Sequence, residues 1–452
     1  MLGGLRNVLN SDRDMAKSNW HFVKIDEIKS NDQSSIAIGP FGSRMTADLY
    51  RPSGVPVIRG TNISSAKSFE GDFVYISEET ANDLKSCLVY PDDLVFPHRG
   101  AIGLVGIVPR DGYCKYILSS SLMKLSCNKK IADPYFLFYF FRSPIGKYEL
   151  LKNSSTVGTP GIATPLTSLK NIELHIPPLP TQKAIAHILG TLDDKIELNR
   201  RMNETLESIA RAIFTSWFID FDPVRAKAEG RQPEGMDAAT AALFPSEFET
   251  VEGQEIPKGW SVSNIYEISD VVYGQPYSSK LFTSEQIGYP LIRIRDLKTN
   301  APDYYTDEKL EGEILINPGD IIVGMDGEFR AYFWMGPISL LNQRLCKFVP
   351  KLGVSSFFVY ESIKYPLSFF ETSKVGTTVI HLGKGDIDTF KVVIPSKEIL
   401  LVFGSMSNNI LKSIISNSQE NRSLTNIRDT LLPKLLSGEL PITNPEQFTS
   451  VS

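Results

Sequence analysis

The sequence is poor in the residues that build metal centres and covalent cross-links. Its four cysteines, at positions 87, 114, 127 and 346, are far apart and include no C-x-x-C pair. Zinc sites and disulfide frameworks both need cysteines at short, recurring spacings. The five histidines also lack the spacings of a helical metal site. We therefore predict that the chain binds no metal and works in a reducing cytoplasm.

Long apolar runs are missing too. No stretch approaches the ~20 uncharged apolar residues that a membrane span requires, which excludes an integral membrane protein. Residues 1–14 contain four charged side chains and no apolar run, so they do not form a secretory signal. We predict a flexible leader over 1–14, with Met15 as an alternative start.

The motifs that would identify an enzyme are also absent. The chain has no G-x-x-x-x-G-K-[ST] motif, which disfavours an ATP-driven motor. It has no Asn or Asp followed by Pro-Pro and an aromatic residue, the signature of adenine methyltransferases. Pro91-Asp92-Asp93 resembles the start of a nuclease motif, but no acidic-x-Lys follows in the next strand. We interpret this segment as a turn before a strand, and the chain as a binding protein.

The net charge of -5 by itself disfavours a nucleic-acid partner. The charge is unevenly spread, however. Residues 1–180 hold 20 Lys and Arg against 17 Asp and Glu, residues 181–260 hold 9 against 14, and residues 261–452 hold 18 against 21. Because the most acidic segment is the short middle one, the overall charge is a poor guide to any one surface.

With 452 residues, the chain is long enough for two to four domains, and its two halves resemble each other. The matches are colinear, with an offset that only shrinks along the chain. They pair residues 20–28 with 260–268, 54–63 with 288–297, 91–96 with 318–323, 157–159 with 375–377, and 171–177 with 389–395. This order predicts two copies of one structural unit, the second with shorter loops.

Within each copy the pattern is typical of an α+β fold. Short runs rich in Val and Ile, bounded by Gly, Pro and Asp, predict strands, for example at 55–58, 94–96, 104–108 and 122–125. A helix is predicted over 133–143, with Asp133 as its cap and Pro134 in its first turn. Its counterpart is predicted over 355–365. We expect the aromatic residues of both helices to lie in the core.

A long helix with a heptad pattern follows each copy. In the first helix, one heptad position is filled by Ile185, Leu192, Asn199, Leu206 and Ile213, flanked by further apolar residues that include Met202 and Ile209. The same position in the second helix is filled by Phe403, Ile410, Asn417, Leu424 and Leu431. Each helix therefore has a coiled-coil stripe interrupted by one asparagine.

Neither stripe can be buried alone, so we expect the two helices to pack on each other. An antiparallel pair places the globular copies at opposite ends with a pseudo-two-fold axis between them. That axis would bring Asn199 and Asn417 together and fix the register of the helices. At ~1.5 Å per residue, a helix over 181–218 would be a spacer of roughly 57 Å.

Three segments resemble the specificity (S) subunits of type I restriction-modification enzymes. They are IPPLPTQKAIAHILGTLDDKIELNRRMNETLE at 176–207, SWFIDFDPVRAKAEG at 216–230 and NIRDTLLPKLLSGEL at 426–440. The GPFGS segment at 39–43 and the VGT loops are similar to family features as well. Thr181 departs from the family, which often has Glu at that position. The resemblance covers nearly the whole chain.

This resemblance implies two tandem α/β target recognition domains joined by two long antiparallel coiled-coil helices. The corresponding division is a leader (1–14), target recognition domain 1 (15–180), spacer helix 1 (181–219), a linker or docking segment (220–260), target recognition domain 2 (261–395), spacer helix 2 (396–440) and a tail (441–452). Each domain would read one part of a split site in double-stranded DNA. The chain would have no catalysis and no cofactor of its own.

The resemblance also implies partner subunits. Two methyltransferase (modification) subunits would dock on the helices and bind S-adenosylmethionine. A separate restriction subunit, the motor and nuclease, would use ATP and Mg.

Candidate DNA contacts follow from residue type, because base edges are read by Arg, Asn, Gln, Ser and Thr on loops. In the first copy the candidates are Ser43, Arg44, Arg59, Asn62, Arg99 and Thr159. In the second copy they are Arg293, Arg295, Arg330, Gln343, Arg344, Thr377 and His381.

Two alternatives remain open. One is a single-chain restriction enzyme or DNA methyltransferase that acts by itself, which the missing motifs disfavour. The other is a non-catalytic helical scaffold whose two heads bind protein or carbohydrate.

Overall fold

A computed structural model of the chain describes residues 19–63, 67–69, 71–155, 158–373 and 380–448, without the side chain of Ser43. The leader predicted over 1–14 and the candidate Thr377 therefore lie outside the described residues. The chain divides into two compact units. Unit 1 comprises Met1–Leu198 and Asn421–Ser452, and unit 2 comprises Asn199–Glu420.

The globular part of unit 1 contains twelve strands in the described residues. They are β1 (His21–Lys24), β2 (Ile36–Ile38), β3 (Val55–Ile58), β4 (Val74–Ile76), β5 (Leu88–Val89), β6 (Leu94–Pro97), β7 (Gly106–Ile107), β8 (Tyr116–Leu118), β9 (Leu122–Leu125), β10 (Ser154–Ser155), β11 (Gly161–Ile162) and β12 (Glu173–Ile176). Five helices accompany them: α1 (Ile25–Ile28), α2 (Glu78–Asp83), α3 (Pro134–Arg142), α4 (Pro144–Leu151) and α5 (Pro165–Lys170).

These strands form two four-stranded sheets, in the orders β2-β9-β6-β7 and β4-β3-β8-β5. Within the second sheet, β3 pairs parallel with β8. Both strands are apolar without alternation and buried along their length, as expected of strands covered on both faces. A separate antiparallel pair, β1 with β12, joins the start of the globular part to its end.

The middle and end of the chain contribute the remaining elements. The long helix α6 (Leu179–Phe218) leads into α7 (Asp222–Ala228), α8 (Ala238–Leu243) and the hairpin β13 (Phe248–Val251) and β14 (Gln254–Pro257). Then come β15 (Ser261–Asn264), β16 (Ser269–Tyr273), β17 (Tyr289–Ile292), β18 (Tyr304–Thr306), β19 (Leu315–Ile316), β20 (Ile321–Gly324), β21 (Ala331–Phe333), β22 (Ser339–Leu341) and β23 (Leu345–Pro350). The chain continues with α9 (Ser356–Ser373), α10 (Lys384–Ile387), β24 (Lys391–Ile394) and the long helix α11 (Lys397–Leu436).

Unit 2 repeats the topology of unit 1 strand for strand. Its sheets have the orders β16-β23-β20-β21 and β18-β17-β22-β19, and β15 pairs with β24 as β1 pairs with β12. The pairing of β17 with β22 is parallel, like that of β3 with β8. The predicted internal repeat is confirmed at the level of hydrogen-bonded strand order.

The turns before equivalent strands show how different residues meet one backbone requirement. Asp92 precedes β6 with φ of 78°, and Gly319 precedes β20 with φ of 94°. Asp tolerates this left-handed region better than most side chains do. The carboxylate of Asp92 accepts hydrogen bonds from Arg110 at 2.8 Å and Lys129 at 2.6 Å. The Pro-Asp-Asp segment is therefore a turn, as interpreted above.

The aromatic helix α3 lies in the core of unit 1, as predicted. Phe136, Phe138, Tyr139 and Phe141 have no exposed surface. The helix begins where Asp133 accepts a hydrogen bond from the backbone of Phe136 at 2.9 Å. In unit 2 the equivalent helix α9 continues to Ser373 without the break that separates α3 from α4 in unit 1.

The two long helices run antiparallel in each unit, as expected. In unit 1, Arg428 of α11 bonds to Asp193 of α6 at 2.7 Å, and Asn421 Nδ2 donates to the carbonyl of Ile196 at 3.2 Å. In unit 2, Asn199 Nδ2 donates to Glu420 at 2.7 Å, and Asn417 Nδ2 donates to Asn203 Oδ1 at 2.8 Å. Higher numbers on α6 thus meet lower numbers on α11.

The predicted register is corrected by one helical turn. Asn199 and Asn417 were expected to face each other, but the hydrogen bond of Asn417 is with Asn203, four residues further along α6. A heptad pattern assigns residues to a face but does not specify which turns oppose each other. In addition, Met202 and Ile209, expected beside the seam, remain 44% and 46% exposed.

The sequence was expected to contain no membrane span, but the helix α11 meets the length and hydropathy criteria for one. One 18-residue window of it has a mean hydropathy of 1.3, so the helix is long and apolar enough to cross a membrane by composition alone. About 39% of that window is buried inside the protein, and Ile399, Phe403 and Ile414 pack in the core of unit 2. A buried core helix passes the same test, so the finding is weak evidence for a span.

The segment predicted as a linker or docking segment over 220–260 is folded into the core of unit 2. Phe221, Val224, Phe244 and Trp260 are all buried there. The ammonium of Lys227 donates to the backbone carbonyls of Ala241 and Phe244 and so joins α7 to the end of α8.

Candidate nucleic-acid interface

In unit 1, four loop segments meet at one edge of the first sheet. They comprise residues 39–44, 98–100, 119–121 and 159–161, and are named here the first rim. Backbone hydrogen bonds join them: His98 N to Ser121 O at 2.9 Å, Gly100 N to Pro160 O at 2.8 Å, and Gly39 N to the carbonyl of Leu122, the residue that follows the third segment, at 2.8 Å. The candidates Arg44, Arg99 and Thr159 all lie on this rim with exposed side chains.

Glycine is required where the first of these segments begins. A Cβ atom on Gly39 would lie 1.9 Å from the carbonyl oxygen of Ser119, far inside van der Waals contact. The equivalent Gly274 of unit 2 would place a Cβ atom 2.0 Å from the carbonyl oxygen of Asn342. The Gly-Pro-Phe-Gly-Ser segment therefore reflects a close backbone approach that positions the loop holding Ser43 and Arg44.

The buried side chain of His98 contacts the backbone of the first rim. It is only 6% exposed, and its Nε2 lies 3.1 Å from the carbonyl oxygen of Ser120. Burial lowers the pKa of His98, which favours a neutral ring. Its neighbour Arg99 pairs with Gly161 in an antiparallel bridge, so the backbone of Arg99 is fixed while its side chain faces solvent.

Two candidates of the first copy have structural roles. Asn62 is 1% exposed, accepts from the backbone N–H of Arg59 at 3.0 Å and donates to the carbonyl of Asp72 at 3.3 Å. The prediction of Asn62 as a base reader is therefore wrong, because the side chain is buried and closes a turn. Arg59 donates to the carbonyl of Asp72 at 2.7 Å and is partly exposed.

In unit 2, the equivalent segments contain a cluster around Asp326. They comprise residues 325–330, 342–344 and 380–382, and are named here the second rim. One carboxylate oxygen of Asp326 lies 3.2 Å from Arg344 Nη1, and the other lies 2.7 Å from His381 Nδ1. Arg344 and His381 keep 58% and 49% of their side chains exposed. The carboxylate thus orients two donors that still face solvent.

Two further candidates border this cluster. Arg330 is 59% exposed and lies 3.6 Å from Glu328 and 3.9 Å from Glu371. Gln343 is exposed, and its backbone N–H donates to the side chain of Asn342 at 2.7 Å. The structure therefore brings together four of the predicted residues of the second copy.

Arg293 belongs to the support of unit 2 and not to its exposed surface. Its side chain is 19% exposed, and its guanidinium bonds to Asp296 and Asp303 and lies 4.3 Å from the ring centre of Tyr304. Burial disfavours its charge, but these hydrogen bonds outweigh burial and raise the pKa of Arg293. The prediction that Arg293 reads bases is therefore wrong, because its guanidinium is held by Asp296 and Asp303. Its neighbour Arg295 is exposed on the same turn.

Sequence reasoning missed the Ser119–Ser121 turn and the acid Asp326. The turn links β8 to β9 as residues 342–344 link β22 to β23, so the repeat alignment contained a signal for it. Arg99 and Asp326 are equivalent as well, since each forms an antiparallel bridge within its rim, Arg99 with Gly161 and Asp326 with His381. The two rims thus have the same backbone arrangement but present different side chains.

No group of three or more His, Cys, Asp or Glu residues in the described part of the chain could hold a metal ion. Both rims expose arginine side chains, which hydrogen-bond to phosphates and base edges, and the second rim also contains the acids Asp326 and Glu328.

The family model for the type I restriction modification DNA specificity domain matches the chain twice. The matches cover residues 38–208 and 257–425, one for each copy of the repeat. The chain belongs to this specificity family.

Individual relatives agree with that assignment. The specificity subunit of the type I restriction enzyme HindI from Haemophilus influenzae is 30% identical over an alignment of 377 residues, which covers 72% of this chain and 81% of that protein. The MjaIX specificity subunit from Methanocaldococcus jannaschii is 29% identical over an alignment of 318 residues, which covers 68% of this chain and 69% of that protein. The chain is thus a specificity subunit of the type I restriction-modification systems.

A solved structure shows the same fold. The S subunit of a type I restriction-modification system from M. genitalium aligns over 94% of this chain and 97% of its own length, with a TM-score of 0.56. The identity is 14%, so the likeness concerns the fold alone.

Proposed function

We propose that each unit of this specificity subunit reads one half of a bipartite site in double-stranded DNA with its rim. The observation that carries the proposal is the repeated topology with exchanged side chains. Arg99, Ser120 and Ser121 of the first rim correspond to Asp326, Gln343 and Arg344 of the second. Since base edges are distinguished by donor and acceptor pattern, two such rims would select two different half-sites.

We further propose that the long helices dock two methyltransferase subunits, and that a restriction subunit completes the complex. Apolar residues of α6 that are exposed in this chain, such as Met202 and Ile209, support this part of the proposal, because a partner subunit that packs on the helix would bury them. In this scheme S-adenosylmethionine binds to the methyltransferase subunits, ATP and Mg bind to the restriction subunit, and the chain itself is a cytoplasmic, non-catalytic reader.

Exchange of one reading unit tests the bipartite site. Residues 261–395 are replaced by the matching segment of a relative with another target, and methylated adenines are sequenced after expression with the modification subunits. We expect only one half of the methylated site to change. The matched control is the reciprocal exchange of residues 21–177, which should change the other half. A change in both halves from either exchange would contradict the proposal.

Methyl transfer by the purified chain tests the non-catalytic role. With S-adenosylmethionine and target DNA, we expect labelled methyl groups in DNA only when modification subunits are added. Transfer by the chain alone would favour the single-chain methyltransferase. Absence of a DNase footprint in the presence of modification subunits would favour the scaffold that binds another class of ligand.

A further inference from the structure

Asp193, in the first half of α6, is a buried acid that accepts hydrogen bonds from three side chains. It is 8% exposed. Its Oδ2 accepts from the hydroxyl of Tyr139 at 2.8 Å and from Arg142 Nη1 at 2.9 Å, and its Oδ1 accepts from Arg428 Nη1 at 2.7 Å. Both carboxylate oxygens are therefore engaged.

The three donors come from two different elements of unit 1. Tyr139 and Arg142 lie three residues apart on α3, the core helix of the globular part, and Arg428 lies on α11. The two arginine side chains are each only 16% exposed. Charge-assisted bonds are short and directional, and a buried charge has no water to replace a lost partner. One carboxylate thus joins the globular part to both long helices.

A second contact lies further toward the start of α6. Gln182 is fully buried, accepts from the backbone N–H of Asp133 at 2.8 Å and donates to the carbonyl of Ile131 at 3.0 Å. Positions 182 and 193 are 11 residues apart, which is roughly 16 Å along a helix. A body attached at one point can pivot, whereas two points this far apart fix its direction.

The neighbouring Asp194 strengthens the contact near Asp193. Its carboxylate lies 2.5 Å from the ammonium of Lys67, which also donates to the carbonyl of Gly190 at 3.2 Å. The Asp-Asp pair in the 176–207 segment therefore has a role that the DNA-reading rim does not explain.

Unit 2 joins its globular part to the helices with the opposite charge order. Glu361 of α9, 7% exposed, pairs with Lys364 at 2.6 Å and lies 3.7 Å from Arg211 of α6. Here the globular part supplies the acid and the long helix supplies a base. The contact at Asp193 is thus particular to unit 1 and is not a general feature of the repeat.

We propose that Asp193 is a positioning residue that fixes the direction of the first rim on the long helices, and thereby restricts the DNA length allowed between the two half-sites. The inference rests on the proposed bipartite reading. Asp193 itself contacts no DNA in this scheme. Its loss should therefore alter the preferred gap between half-sites and leave the bases chosen in each half unchanged.

The test uses the full chain in complex with its modification subunits. Initial methylation rates are measured on duplexes whose half-sites are separated by the native gap or by one base pair more or less. For Asp193→Asn, we expect the preference for the native gap to fall by about tenfold, the size of effect typical of one mismatched base pair. Tyr139→Phe, which removes one donor and keeps the ring, should give a smaller loss in the same direction.

Asp92→Asn is the matched control, because Asp92 is 7% exposed and has two cationic partners within the globular part of unit 1. It should lower the melting temperature without changing gap preference. Unchanged gap preference in both Asp193→Asn and Tyr139→Phe, or an equal loss in Asp92→Asn, would overturn the inference. A wild-type complex that methylates all gap lengths equally would instead overturn the bipartite reading itself.

Discussion

Single atoms decide where side chains are tolerated in the rims. Gly39 lies against the carbonyl of Ser119, where a Cβ atom would come within 1.9 Å. Because the obstructing atom belongs to the backbone, it has no rotamer that moves it away. Gly39→Ala should therefore lower the free energy of unfolding by about 3 kcal/mol, as overpacking does in rigid surroundings. Urea denaturation measures this change.

Gly60 supplies the control for that prediction. It follows β3 of the second sheet of unit 1, and a Cβ atom there would meet no atom within 4 Å. Gly60→Ala should therefore be tolerated. Equal losses of stability for the two variants would show that the loop adapts, and that the close approach at Gly39 is not rigid.

Asp92 makes a prediction about acid stability. Burial opposes its ionisation, but hydrogen bonds from Arg110 and Lys129 outweigh burial and lower its pKa. A carboxyl group with a lowered pKa stabilises the folded state above its unfolded pKa, and this contribution is lost as the pH falls through the folded pKa. Asp92→Asn should cost about 2 kcal/mol at neutral pH.

The pH dependence distinguishes this role from simple packing. The advantage of the wild type over Asp92→Asn should be complete above about pH 4, the ordinary pKa of an aspartate, and shrink at lower pH. Thermal unfolding between neutral pH and pH 3 measures it. A difference that stays constant over this range would contradict the charge-based explanation.

Residue type predicted which side chains suit DNA, but it did not predict which of them are free to reach it. Asn62 and Arg293 are in suitable loops, yet Asn62 closes a turn and Arg293 is neutralised by Asp296 and Asp303. Arg59 and Asn62 are three residues apart, as are Arg293 and Asp296. This spacing indicates a local turn contact and could have been recognised in the sequence. Asp326 differs, because its partner Arg344 becomes a neighbour only when β20 and β23 pair.

At the scale of elements, local patterns predicted the long helices well. The helix α6 spans Leu179–Phe218, against a predicted 181–219, and α11 spans Lys397–Leu436, against a predicted 396–440. The strand predicted at 104–108 is shorter, at Gly106–Ile107. The division of the strands into two sheets was not predictable, since it depends on pairings such as β3 with β8, about 60 residues apart.

The polar part of the helix seam tests the observed register. Asn417 and Asn203 share a hydrogen bond, so Asn203→Leu alone leaves a partly buried amide without that partner and should cost about 1–3 kcal/mol. Replacing both by Leu removes both amides of this bond at once and should recover part of the loss, but not the bond that Asn203 donates to Ser418 at 3.2 Å. Melting temperatures of the single and double variants provide the measurement.

The matched control for the seam is the pair Asn199→Leu with Asn417→Leu. Asn199 bonds to Glu420, and Asn417 bonds to Asn203. The double variant therefore breaks two different hydrogen bonds and leaves one polar partner of each, Glu420 and Asn203, in place. It should be less stable than Asn203→Leu with Asn417→Leu. The reverse order would support the register in which Asn199 faces Asn417.

For the whole molecule, duplication explains how one fold provides two readers. The strand orders, the close glycines 39 and 274, and the bridges at Arg99 and Asp326 are conserved between the copies, while the exposed rim residues are not. Backbone hydrogen bonds hold the loops, so the side chains at their tips are free to differ. The same property makes exchange of residues 261–395 a sensible experiment.

The overall charge leads to a prediction about salt. Phosphate neutralisation supplies much of the affinity for DNA, and each neutralised phosphate contributes about -0.9 to the slope of log K against log salt. The net charge is -5, and Arg330 and Arg344 of the second rim lie beside carboxylates. The isolated chain should therefore show a shallow slope, and the complex with modification subunits a clearly steeper one.

Binding isotherms at several salt concentrations, with and without modification subunits, measure both slopes.

The variant Arg99→Gln distinguishes base reading from phosphate binding at an exposed position of the first rim. If Arg99 reads a base edge, its loss should cost about 1–3 kcal/mol on the native site and relax the choice at one position. If it binds phosphate, affinity should fall equally on all sequences and the slope should flatten by about one unit. Equal slopes for the chain and the complex would show that the chain neutralises the phosphates with its own basic groups, against the expectation from its charge.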